Sequence, residues 1–459
     1  MFCLVDTAGK VSFIMHWKLN IRLLVVSLVV ATFASACAAA PASTSSTSTT
    51  TTTIETTAPT TTDAVTTTIP RDPTQAALRA QIDELIGTTA ELRELAFLEP
   101  PTVTIVTDQE LAIRVREQIE EELDPTELAR DTAVQVLLGL IAPELDLLDL
   151  YTDLYSEQVA GYYDGELEEM VVPAGVELSA LQKVTLVHEL THALTDQHFG
   201  FDERIEELDA EDRFDELSAL QAVIEGDASF TELLYVTELS MEEKIQIVTD
   251  SLDQDTTVFG QTPRFIQELL LFPYLEGADF VEALWSSETG FDLVNAAYTD
   301  PPTTTEQIYH PEAYRAGEVG NGVVLPDTPL AGYEVGEEAV WGEVSFRVML
   351  EQGLGASTAI QAASGWGGDR YRVMWNGEEV VYVLVYLGDT SSDALEMYDA
   401  LVAYAGSEMK VGEPDTTEQA TSFVGDVFAH AALDGDRVLF IASSDPDVGP
   451  EIVAVFSDF

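Results

Sequence analysis

Residues 187–198 read VHELTHALTDQH and hold three of the six histidines in a chain of 459 residues. Within them His188, Glu189 and His192 form the pattern H-E-x-x-H, and the surrounding stretch 178–194 is rich in apolar, helix-forming residues. Side chains four apart on a helix lie about 40° apart around its axis, so the two imidazoles can face one metal ion. Glu189, one position round, can reach a water at that metal and take its proton. A chance match or a packed histidine is the ordinary explanation of such a string, but histidine is too scarce here for this clustering to be set aside. The stretch predicts a helix that carries part of a zinc site.

Composition narrows the rest. With 46% hydrophobic residues the chain can bury one large core or two moderate ones. Its 20 Lys and Arg stand against 82 Asp and Glu, and the resulting charge of −62 repels nucleic acid and anionic lipid headgroups. The two cysteines, Cys3 and Cys37, both lie near the N-terminus. The folded part therefore has no disulfide and no thiolate ligand, which leaves His, Asp and Glu to bind a metal.

From Met15 the sequence runs MHWKLNIRLLVVSLVVATFASAC, with Lys18 and Arg22, then an apolar run over 23–33, then small residues. This is the layout of a secretory signal peptide over 1–36, with Met15 as an alternative start, and its apolar part is short for a membrane span. Ala34, Ser35 and Ala36 before Cys37 resemble a bacterial lipobox, although Ala34 stands where leucine is usual. A lipid on Cys37 would be the sole membrane attachment, and the expected location is extracytoplasmic: secreted, or anchored to the cell membrane of a bacterium. Residues 37–72, dominated by Thr and Ser, lack the apolar surface to offset their ordering entropy and read as a disordered stalk.

Periodicity then predicts helices over 75–98, 109–123, 125–140 and 143–154, with a strand at 102–106. None of these carries a reactive constellation; they read as scaffold, or as a segment covering the cleft. Residues 159–163 and 170–172 flank Asp164–Gly165 and predict a β-hairpin just before the metal helix. Its edge can bind an extended peptide as a further strand. Helices are expected again over 212–237, over 256–285 with a break at Pro273, and over 340–354. Beyond them, strands at 371–375, 380–387, 421–431 and 437–442 with a helix at 393–405 predict a small α+β unit. The fold class is α+β, with a predominantly helical domain over 73–355, an edge hairpin, and a C-terminal α+β subdomain over 356–459.

A catalytic zinc needs three protein ligands, and two residues compete for the third place. His198 completes the ligand spacing of metzincins, but Thr195 stands where that pattern needs glycine to end the helix, and Met241 does not sit in a Met-turn. Glu225 lies in A-V-I-E-G-D-A on a second helix with an apolar face, and it is the better candidate. Gly226 would let the two helices approach closely, and Asp227 could orient a ligand histidine. Asp196, one turn after His192, is either a similar helper or solvated.

E-G-x-A after H-E-x-x-H resembles the glutamate helix of gluzincins. Together GYYD, HELTHALTDQHF, AVIEGDA, TTEQIYHPEAY and GWGGDRY resemble a family of uncharacterised secreted bacterial proteins regarded as gluzincin-like metallopeptidases, over about 159–404. The resemblance departs from the family at Thr195, where glutamine is expected. It implies a zincin-like core with Zn2+ held by His188, His192 and Glu225, and Glu189 as general base. Tyr309, His310 and Tyr314 are candidates for stabilising the oxyanion, with His310 preferred. Trp366, Asp369 and Arg370 read as an anchor between subdomains. The function expected is an exported zinc-dependent peptidase acting on a peptide or protein. The alternative is a non-catalytic, zinc-stabilised envelope protein that binds a partner.

Overall fold

The structure, a computed structural model, describes residues 73–459 apart from 159, 160, 166, 176 and 458. The expected signal peptide, stalk and lipidation site at Cys37 lie outside the described residues. None of the described helices is long and apolar enough to cross a membrane.

The chain opens with α1 (Pro73–Leu92), β1 (Thr102–Val106), α2 (Asp108–Glu122), α3 (Pro125–Leu137) and α4 (Leu147–Gln158). Asp124 caps α3 by accepting from the N–H groups of Thr126 and Glu127, with Pro125 at the first helical position. The fourth helix begins later than expected from Pro143 because Asp146 caps it, accepting from Leu148 and Asp149. The hairpin follows as β2 (Tyr162–Asp164) and β3 (Glu169–Pro173). These strands are antiparallel, β1 pairs with β3 in parallel, and the order β1-β3-β2 leaves β2 at the edge.

The expected metal helix is α5 (Ala180–Phe199). Ser179 and Gln182 form a capping box at its start, and Gly200, at φ 57°, ends it in the left-handed conformation that glycine adopts at low cost. After α6 (Asp202–Ala210) comes α7 (Phe214–Glu238), buried along most of its length, then α8 (Met241–Leu252) and α9 (Thr257–Gln261). The helix α10 (Arg264–Leu284) runs through Pro273 without breaking there. The interruption falls instead at Thr262, whose extended backbone is the conformation favoured before a proline, here Pro263. Gly226 on α7 and Gly277 on α10 mark a close crossing: a Cβ on Gly226 would lie 2.2 Å from the Gly277 backbone. The glycine thus brings α7 against α10, not against α5 as expected.

Three short helices, α11 (Asp292–Thr299), α12 (Thr305–Tyr309) and α13 (Pro311–Ala316), lead to the C-terminal part. It comprises β4 (Glu334–Ala339), α14 (Gly342–Leu354), α15 (Ala356–Ala363), β5 (Trp366–Trp375), β6 (Val380–Gly388), α16 (Ser391–Glu408), β7 (Pro414–Thr416), β8 (Ala420–Val424), β9 (Phe428–Asp434), β10 (Arg437–Ser443) and α17 (Gly449–Val455). Its strands form one antiparallel sheet in the order β4-β5-β6-β10-β9-β8-β7. The expected single strand over 421–431 is a hairpin of β8 and β9 turning at Gly425–Asp426. The sheet begins at β4, upstream of the expected boundary at 356. One apolar core runs from Val106 through α7, α10 and α14 to Ala442, so the two parts share an interior.

Candidate metal centre

The capped helix α5 presents His188, Glu189 and His192, all buried, and one ligand atom of each lies within 4.8 Å of the others. From α7, packed alongside, Glu225 extends its carboxylate between the rings. Glu225 Oε2 lies 3.1 Å from His188 Nε2 and 3.3 Å from His192 Nε2. Ligand atoms about 2.0–2.1 Å from a tetrahedral zinc stand about 3.3 Å from each other, so these separations match two edges of such a site. Two imidazoles and a carboxylate, with no thiolate, are also a donor set that zinc accepts.

Electrostatics separate the two glutamates. Burial alone would raise the Glu225 carboxyl, but the adjacent His192 and His188 outweigh it and hold the group down at about 2. Burial likewise disfavours a charged His188, yet its bonds to Glu225 and Glu232 push it up to about 10. Glu225 is therefore the anionic partner of the imidazoles. Glu189 has its pKa raised, chiefly by burial and against the pull of both histidines. Its Oε2 accepts from the Tyr163 N–H at 2.7 Å, while the buried Oε1 has no partner among the described residues. The carboxylate is oriented by one oxygen and has the other to offer.

Glu232 completes the surroundings of His188, its Oε2 lying 3.4 Å from Nδ1. A carboxylate on the far nitrogen fixes the ring and its tautomer. This residue escapes motif reading, although its place two helical turns after Glu225, on the same face of α7, is a signal that could have found it. Tyr274 of α10 stacks on the His188 ring at 5.9 Å. The edge strand is latched to α5 twice, because the Tyr163 hydroxyl also donates to Asp196 at 2.8 Å.

Other expected residues go elsewhere. α5 continues through Thr195 to Phe199, so His198 is carried round to an exposed position, where Nε2 lies 2.8 Å from the Ala96 carbonyl. Met241 is 70% exposed at the start of α8, away from any Met-turn. Asp227 does not orient a ligand histidine: its carboxylate is taken by Arg93 and Tyr298. His310 Nε2 lies 3.2 Å from Glu343 and 3.5 Å from Arg347, which are its polar partners among the described residues. Tyr309 stacks under Arg347, and Tyr314 donates to the Asp300 carbonyl. Asp369 of β5 accepts from Trp341 N, Gly342 N and Trp366 Nε1, which ties the start of α14 to the sheet. Residues 75–157 are built into the fold, with β1 in the sheet and Arg93, just after α1, buried against α7.

A family described as a domain of unknown function (DUF8575) matches residues 330–452. Those residues span the sheet from β4 to β10 with its helices and exclude His188, Glu189, His192 and Glu225. No curated protein and no solved structure matches the chain.

Proposed function

We propose that the protein is an exported zinc-dependent peptidase with a zincin-like core. The observation that carries this reading is the Glu225 carboxylate set between His188 and His192 with Glu189 beside them. His188, His192 and Glu225 would hold the zinc. The bound ion supplies Lewis-acid polarisation of a substrate carbonyl and eases the deprotonation of water. Glu189 accepts that proton on Oε1 while the Tyr163 N–H holds Oε2 in place, and its raised pKa suits it to keep the proton and pass it to the departing amine. The edge strand β2 lies along α5 at this point, and an extended peptide is the substrate shape such an edge receives.

The test uses the full chain loaded with zinc and a pool of labelled peptides. We expect one zinc per chain, hydrolysis by the parent protein, and at least a ~100-fold loss in Glu189→Gln with zinc content unchanged. Zinc uptake with no turnover by the parent protein on any peptide would replace this reading with that of a zinc-stabilised binding protein.

A further inference from the structure

Side chains from four segments meet in the interior beside the metal centre. Arg93 and Asp227 are both fully buried, and Arg93 Nε lies 2.7 Å from Asp227 Oδ1 and 2.9 Å from Oδ2. Arg93 Nη2 donates to Asn295 Oδ1 at 2.6 Å, and the guanidinium covers the Phe291 ring at 4.1 Å. The Tyr298 hydroxyl on α11 donates to Asp227 Oδ2 at 2.9 Å and lies against the Thr195 side chain on α5, whose own hydroxyl donates back to the Thr191 carbonyl at 2.9 Å. The Tyr298 ring stacks on Phe199, near the end of α5, at 4.4 Å.

The two ends of this chain of bonds and ring contacts sit close to ligands. Thr195 is one turn beyond His192, and Asp227 is two residues beyond Glu225. The glycine crossing fixes α7 against α10, which leaves the register of α7 against α5 to other contacts. A buried ion pair contributes little net stability compared with an apolar replacement. Its bonds are directional, however, and tolerate little sliding, whereas apolar side chains permit it.

We infer that Arg93, Asp227, Tyr298 and Thr195 form a brace that sets the register of α5 against α7 and so holds the Glu225 carboxylate at ligand distance from His188 and His192. These are positioning residues for the centre. The inference rests on the metal-binding reading proposed above.

The test measures the full chain and its Tyr298→Phe, Thr195→Val, Asp227→Asn and Arg93→Met variants. Zinc affinity is read by chelator competition, and ligand geometry by the visible absorption bands of the Co2+-loaded protein. The thermal midpoint is recorded separately. Tyr298→Phe removes one oxygen without changing ring shape, so it decides the matter even if Arg93→Met fails to fold. We expect zinc affinity to fall ~10-fold or more in Tyr298→Phe and Asp227→Asn, with altered cobalt bands in folded protein. Variants that lower the thermal midpoint but keep parental zinc affinity and cobalt spectrum would show the network to be structural only, and would overturn the inference. A parent protein that takes up no metal would overturn the metal-centre reading itself and this inference with it.

Discussion

At the scale of single residues, the centre divides into groups that a motif announces and groups that only the fold assembles. His188, Glu189, His192 and Glu225 stand in short strings that can be picked out of the sequence, and the fold brings them together. Arg93 could not be read that way, because its partner Asp227 lies 134 positions further on and no local pattern links them. Asp227 could be singled out from its place beside Glu225, but its partners could not. Glu232 lies between these cases, visible only once Glu225 is taken as a ligand. Its role gives a sharp expectation: Glu232→Ala should weaken zinc binding by roughly 10–100-fold, because the His188 ring loses the acceptor that fixes its tautomer. Titration against a chelator checks this, and the loss should appear with the fold intact, since Glu232 is partly exposed.

At the scale of elements, most long amphipathic helices were legible to within a few residues, although the one expected over 75–98 ends at Leu92, and several of the misses have physical causes. The strands β4 and β7 were not anticipated, and both are sheet edges, where acidic or turn-forming residues are favoured over the apolar alternation that marks a central strand. Pro273 looked like a break, but a proline inside a helix costs one hydrogen bond, and the burial of its helix on both sides sustains the run. The crossing of α7 and α10 is unforgiving in another way. Gly226→Ala places a methyl 2.2 Å from the Gly277 carbonyl carbon, and backbone cannot move aside as a side chain can. We expect a loss of roughly 3 kcal/mol or more in urea unfolding, an overpacking penalty at the upper end of its usual range. Gly87→Ala, at a glycine with open space around it, serves as the control.

At the scale of the whole molecule, the helical part and the sheet are joined by buried polar groups as well as by the common core. Asp215 near the start of α7 accepts from Thr305 at 3.0 Å through N–H and 2.6 Å through Oγ1, Thr305 Oγ1 in turn accepts from the Val344 N–H of α14 at 3.2 Å, and burial pushes the Asp215 carboxyl up to about 7. A carboxyl raised in the folded state adds stability below its ordinary pKa and loses that contribution as pH rises towards the raised value. Stability should therefore decline between about pH 4 and pH 7 by up to ~1.4 kcal/mol per pH unit from this group, and Asp215→Asn should flatten that part of the decline. Urea midpoints for parent and variant at pH 5, 6, 7 and 8 give the comparison. The long-range bonds carry a consequence for the order of assembly. The Leu138 carbonyl accepts from the Tyr404 hydroxyl 266 positions later, and the Gly139 carbonyl from Gln352, 213 positions later. Contacts this far apart in sequence close late, since the chain between them must be collected first. During synthesis from the N-terminus the C-terminal end of α3 therefore emerges long before its covering exists. The interval between its synthesis and the completion of α16 is when this chain is most open to aggregation.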